Sequence, residues 1–190
     1  MDRRILKTVF AIKNAYKNLL IKKGKHKITI AEIAREADID RKTFYLHFNS
    51  VEEVLDSILQ DNLIEFEELL AKNKLLSNRI DTKLLMHTMN ICFMEHMDFY
   101  RSVIKQNVGI ESISYKMKEI MIQRMLDIYA ASDQQTIQTI RIYCNFLFSG
   151  IIAVYTDWIQ NEDSMTLDEL EKITSNVLYN GIKVLIQEPV

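Results

Sequence analysis

The spacing of apolar positions is helical from one end of the chain to the other. Ile5, Val9, Ile12, Tyr16 and Leu19 recur at intervals of three and four, predicting a helix that ends at Lys22–Lys23–Gly24. Ile30, Ile33, Ala34 and Ala37 form the inward face of a short helix over about 30–36. After the break Ala37–Asp38–Ile39–Asp40, Phe44 and Phe48 at spacing four predict a second short helix over about 41–47, with Ile39 packed beneath it. From Val51 the pattern lengthens into helices expected over about 51–72, 79–97, 98–107, 110–130, 134–160 and 167–187. Breaks fall near Ser77–Asn78, Asn107–Gly109, Ala131–Asp133 and Asn161–Ser164. No window alternates long enough to predict a sheet, and the chain has one proline, Pro189, and four glycines. The expected fold class is all-α: a three-helix N-terminal part over 1–50, then an antiparallel helical bundle over 51–190, about nine helices in all.

Helix starts are marked by a recurring device. Thr29 with Glu32, Ser50 with Glu53, and Thr166 with Glu169 each match a capping box, in which the hydroxyl accepts the N3 amide and the carboxylate reaches back. Asp40 is a good N-cap for the helix that follows it. Two short helices joined by a tight turn make a helix-turn-helix.

Charge sharpens this picture. The net charge of -2 divides at Ser50 into +7 for residues 1–50 and -9 for 51–190. A basic head of that size concentrates polyanions, and phosphate neutralisation supplies most non-specific DNA affinity. The rest is an ordinary globular balance, 48% hydrophobic and 26% charged. Cys92 and Cys144 lie far apart without CxxC spacing, so neither a disulfide framework nor a structural zinc site is expected. Cys92 and His96 are four apart, a spacing compatible with two metal ligands. A buried thiol and a surface histidine are the expected outcome, with no metal and no cofactor. The longest apolar stretch, Phe146–Tyr155, is about ten residues against the roughly twenty that span a bilayer. No export signal is visible at the N-terminus. A cytoplasmic protein with no membrane partner is expected.

On the short helix after Asp40, Phe44 and Phe48 point inward and leave Arg41, Lys42, Thr43, Tyr45 and His47 outside. Arg and Lys can donate to guanine edges or phosphates, a Thr methyl can meet a thymine methyl, and Tyr and His suit phosphate oxygens. Thr29 at the preceding helix start can accept its capping bond and still donate to a phosphate at the positive helix end. The candidate DNA-binding set is therefore Thr29, Arg41, Lys42, Thr43, Tyr45 and His47.

The run Lys27–Ile28–Thr29–Ile30–Ala31–Glu32–Ile33–Ala34, then Ile39, Thr43–Phe44–Tyr45–Leu46–His47–Phe48 and Ser50–Val51–Glu52–Glu53–Val54–Leu55, resembles the DNA-binding domain of the tetracycline-repressor (TetR) family over about residues 5–58. The resemblance implies an all-helical homodimer that grips double-stranded operator DNA, with Tyr45 on phosphate. It also implies that 51–190 binds a small effector and dimerises through its last two long helices. Asp38 departs from the family pattern, standing where the turn usually has Gly. Val51 departs too, standing where a Lys often touches phosphate; Arg41 and Lys42 are expected to compensate. Phe99–Tyr100–Arg101 and Gly150–Ile151–Ile152–Ala153–Val154 with Trp158 resemble one recurring variety of the family's C-terminal region, and Gly150 would permit close helix approach.

Met and aromatic residues suit an adaptable effector pocket, and the candidates are Met86, Met89, Cys92, Phe93, Met97, Tyr100, Met117, Met121, Tyr143 and Phe146. No Gly-rich phosphate loop, nucleophile elbow or HExxH is present, so an enzyme is not expected. The expected function is a ligand-responsive transcriptional regulator, with repression the commoner direction. The competing reading is a helical interaction or scaffold protein without an effector.

Overall fold

Helix α1 (Arg3–Lys23) buries Ile12, Ala15, Tyr16, Leu19 and Leu20, the later part of its apolar stripe. Its first turns are different, with Ile5, Leu6 and Phe10 all exposed. The computed structural model describes residues 3–23, 27–72, 81–128, 133–161 and 165–187. Among these residues there are nine helices and no strand: α1, α2 (Ile30–Glu36), α3 (Arg41–Tyr45), α4 (Val51–Lys72), α5 (Thr82–Glu95), α6 (Met97–Gln106), α7 (Ile110–Ile128), α8 (Gln134–Gln160) and α9 (Leu167–Gln187). The positions Gly24, Ser77–Asn78, Ala131 and residues 162–164 of the last break lie outside the described residues.

The chain divides into two compact units. The first comprises Met1–Asn62 and His96–Ile110, the second Leu63–Glu95 and Glu111–Val190. The first unit is thus larger than the charge boundary at Ser50 marks, because α6 packs on α1 and buries Phe99 and Val103, and Val54, Leu55, Ile58 and Leu59 of α4 are buried too. Ion pairs join the end of α1 to α2: Lys22 to Glu36 at 3.1 Å, and Lys23 to Glu32.

Two turns in this unit use the same geometry. After α2, Asp38 N–H donates to the Arg35 carbonyl and Ile39 N–H to the Ala34 carbonyl, with Asp38 left-handed at φ 53. After α6, Asn107 N–H donates to Ile104 and Val108 N–H to Val103, with Asn107 at φ 55. Both are Schellman endings, and Asp and Asn are the side chains that tolerate the left-handed region best after Gly. The Asp38 turn therefore forms without the family's glycine, at the cost of some backbone strain. Gly109, at φ 69, is a stricter requirement. A Cβ there would lie 3.1 Å from Leu59 Cδ1 and 3.2 Å from Leu55 Cδ2, so the loop after α6 rests directly on α4.

The second unit is an α-helical bundle around one core. Phe66 and Leu70 of α4, Leu85 and Met86 of α5, Met121, Ile122 and Met125 of α7, Ile140, Cys144, Phe148 and Ile151 of α8, and Leu170, Leu178 and Ile182 of α9 form it. α9 packs on both α5 and α8. The close approach between α8 and α9 occurs at Gly181, where an added Cβ would fall 2.5 Å from Leu147 Cδ2. Gly150, expected to serve this purpose, has nothing within 4 Å of such a Cβ, because it lies on the outward side of α8.

α8 is more apolar than its ten-residue run suggested. Its length and a mean hydropathy of 1.4 over an 18-residue window would by themselves be enough to cross a membrane, yet only 22% of that window is buried. The reason is a second apolar stripe. Ile142, Phe146 and Val154 are exposed on α8, as are Ile173 and Val177 on α9.

Candidate nucleic-acid interface

α3 is held at both ends. Asp40 caps it, its carboxylate accepting the Thr43 amide at 2.6 Å. Phe44, fully buried, anchors the middle, with its ring centroid 5.8 Å from Tyr45 and 6.1 Å from Phe48. Arg41 and Lys42 stand exposed at its N-terminal end, Thr43 is half-buried and Tyr45 is exposed. The helix closes earlier than the apolar spacing indicated: Leu46 is its C-cap, and His47 and Phe48 donate their amides to the Phe44 carbonyl in the closing turn. His47 is half-buried there. Ending at Tyr45 turns two consecutive side chains, Tyr45 and Leu46, away from the core, and Leu46 becomes 73% exposed, an apolar contact surface that the four-residue spacing of phenylalanines did not reveal. Lys27 and Arg35, also exposed, extend the basic surface of the unit, and only the charge count of the head pointed to them.

Thr29 is exposed and forms a complete capping box: its Oγ1 accepts the Glu32 amide, and the Glu32 carboxylate accepts the Thr29 amide at 3.0 Å. The Thr29 hydroxyl also donates to that carboxylate at 2.8 Å, so its proton is engaged with Glu32 and not offered outward to a phosphate. At the start of α4 the box is half-formed. Ser50 Oγ accepts the Glu53 amide at 3.1 Å, while the Glu53 carboxylate takes the Asn49 amide at 2.6 Å in place of that of Ser50. Val51, at the family's lysine position, is half-buried.

Glu32 is the hub of the head. Hydrogen bonds from Lys23, then from the Thr29 hydroxyl and amide, lower its carboxyl from 4.5 to about 2. A depressed carboxyl adds stability that is present in full above its unfolded value and is lost as pH falls through the folded value. The stability gap between the native chain and Glu32→Gln is therefore expected to be constant above about pH 5, to narrow below the ordinary value of 4.5, and to close toward pH 2. Denaturant unfolding across that range checks this; a gap independent of pH would remove Glu32 from the role.

In the second unit the expected pocket residues separate. Met86 and Met121 are buried core, and Met89, Cys92 and Met117 pack against it. Phe93 meets Tyr155 edge-on, with centroids 6.0 Å apart. Met97 and Tyr143 are half-buried. Tyr100 belongs to the first unit, where its hydroxyl accepts a hydrogen bond from Asn62 at 3.1 Å. Phe146 is 80% exposed and lines no interior space; its spacing of four from Ile142 and Gly150 puts it on the outward stripe. Burial, with Glu65 adding to it, pushes the Cys92 thiol up to about 11. Among the described residues no group of three His, Cys, Asp or Glu could hold a metal ion. A polar chain crosses this core that spacing could not show: Tyr155 hydroxyl donates to Asn90, whose amide donates to Glu171 at 2.7 Å.

Two family models match the chain. Residues 14–58 match the bacterial regulatory proteins of the tetR family, and residues 82–180, about half the chain, match a transcriptional regulator C-terminal region. The chain belongs to the TetR family. Among curated relatives, the Bacillus subtilis (strain 168) fatty acid metabolism regulator protein is 22% identical over 174 residues, covering 86% of this chain and 90% of that protein. The uncharacterized HTH-type transcriptional regulator YxbF of the same organism is 36% identical over 66 residues, which are 34% of this chain but only 17% of that protein. The solved structure of the dihydroxyacetone kinase operon activator DhaS superposes with a TM-score of 0.65 at 22% identity, covering 93% of this chain and 97% of that one. As a TetR-family transcriptional regulator, the chain carries its helix-turn-helix in α2 and α3 and a helical C-terminal region in the second unit.

Proposed function

We propose that the protein is a repressor that binds a palindromic operator as a homodimer, and that a small effector in the second unit alters its occupancy. The observation that carries the DNA reading is α3: an Asp-capped, Phe44-anchored helix whose exposed side presents Arg41, Lys42 and Tyr45 together. A recognition helix enters the major groove by its N-terminal residues, where Arg41 and Lys42 stand, while Tyr45 at its far end suits a phosphate. Thr43 and His47, half-buried, offer shorter-reach contacts.

Two observations support the rest. The exposed apolar stripe on α8 and α9 supplies a self-complementary surface of the kind an isologous dimer buries. Met86, Met89, Met117 and Met121, with Phe93 and Cys92 beside them, give the second unit a soft core able to repack around an apolar effector. A ligand with different affinity for two arrangements of the dimer shifts the population on DNA. Such a protein works in the cytoplasm, where the operator is.

The test is a salt-dependent titration against the chain's own upstream intergenic DNA with an unrelated duplex as competitor, alongside the mass in solution. A dimer that prefers the upstream fragment by at least about a thousandfold supports the reading. Equal, weak binding to both would leave only the basic head acting and would overturn it. Within that assay Tyr45→Ala is expected to weaken all sequences alike. Arg41→Ala is expected to weaken binding and relax preference at one base pair, each by about 1–3 kcal/mol. Unchanged affinity in both variants would remove α3 from the interface.

A further inference from the structure

Leu46 stands 73% exposed at the end of α3, an apolar side chain that the core of the first unit does not use. Its backbone is still helical, at φ -72 and ψ -16, and its amide donates to the Lys42 carbonyl at 3.2 Å. The direction of its side chain is therefore set by α3. At about 100° per residue, Lys42 and Leu46 both lie about 200° round the helix from Phe44, on the side away from the core. They are one turn apart on a single face, and the Cα–Cβ bond of Leu46 tilts back toward Lys42 and the helix N-terminus. Arg41 and Tyr45, both exposed, flank them. Phe44, fully buried, fixes the rotation of the helix about its axis and with it the order of side chains on this face.

The face thus carries three groups that suit a polyanion and one that cannot hydrogen-bond. When a recognition helix enters the major groove by its N-terminal end, the side chain one turn beyond Lys42 is carried toward the base edges as well. Most of what it meets there is polar: N7 and O6 of guanine, N6 of adenine, N4 of cytosine. Covering any of these with an isobutyl group strips its water and returns no hydrogen bond, which costs free energy. The apolar feature of the groove wall is the C5-methyl of thymine, where contact removes hydrocarbon from water on both sides.

We propose that Leu46 is a specificity-determining residue that reads a thymine in each half-site through its C5-methyl group, while Arg41 and Lys42 meet hydrogen-bonding edges and phosphates. This role rests on the operator-binding reading and specifies one base of its target. An apolar contact of this kind adds to sequence preference without adding to the salt dependence of binding, which counts neutralised phosphates.

The test uses the upstream intergenic duplex in two forms, one with thymine throughout and one with uracil in its place, which deletes every C5-methyl and keeps every hydrogen-bonding group. The native chain is expected to bind the thymine form tighter by about fourfold for each methyl that Leu46 covers, the worth of one buried CH₂, and so by about fifteenfold over two half-sites. Leu46→Ala is expected to lose this factor with its Tm unchanged, because the side chain is exposed. Arg41→Ala is expected to bind both forms more weakly and to keep the factor. Equal binding of the two forms by the native chain, or the same thymine preference in Leu46→Ala as in the native chain, would overturn the assignment while leaving operator binding in place. No preference of the native chain for the thymine form over an unrelated duplex would overturn the operator reading, and the assignment with it.

Discussion

Phe44→Ala is expected to destabilise the first unit by about 3–5 kcal/mol, the range for truncating a buried phenylalanine. Phe44 is fully buried, its ring contacts those of Tyr45 and Phe48, and its carbonyl accepts the amides that close the helix. Removing the ring leaves a cavity under a five-residue helix too short to be stable by itself. Since domains are stable by only about 5–15 kcal/mol, most of the head's margin would be lost, and sequence-specific DNA binding with it. Denaturant unfolding read by far-ultraviolet circular dichroism should show the first unit melting earlier, with the second unit's transition unmoved. A loss below about 1 kcal/mol, typical of a surface substitution, would mean that Phe44 is not the anchor of α3.

Phe146→Glu is expected to act in the opposite way, leaving the protomer's fold intact and removing the dimer proposed above. The side chain is 80% exposed on α8, so nothing in the protomer's core depends on it. Two copies brought together along the stripe of Ile142, Phe146 and Val154 would bury a charge without a partner in the middle of an apolar contact. The solution mass should fall to that of one chain. Operator affinity should drop by about 10²–10⁴, the advantage that a second, tethered half-site confers. A variant that remains dimeric with unchanged operator affinity would move the subunit contact elsewhere.

What could be read from the sequence was local. The capping boxes at Thr29 and Thr166 formed as written because both partners lie within one turn of helix. The Phe44–Phe48 pair fixed the inward side of α3, and a left-handed residue at Asp38 followed from the need for a tight turn. What could not be read depended on distant partners. Phe146 and Phe148 are both aromatic on one helix, and only the packing of the bundle decides that the first faces outward and the second inward. Gly150 and Gly181 likewise look alike in sequence, yet only the second meets a neighbouring side chain. Tyr100 follows α5 closely in sequence but is packed with the first unit, because α6 finds its partner in α1. The Thr29 hydroxyl was legible as a cap, but its capture by Glu32 was not, since the placing of that carboxylate also involves Lys23 on α1.

The lysines that tie α1 to its neighbours also change the ionic stoichiometry of any polyanion complex. Lys13 is paired with Asp61, Lys22 with Glu36 and Lys23 with Glu32. Cations already neutralised within the protein displace no condensed counterions when a nucleic acid arrives, so the slope of affinity against salt counts only those that remain. The head's net +7 already subtracts Glu32 and Glu36 and is lowered further only by Asp61 on Lys13, but its twelve cations overstate the number free to meet phosphate, so those of α3 and its surroundings carry a correspondingly larger share of the salt dependence.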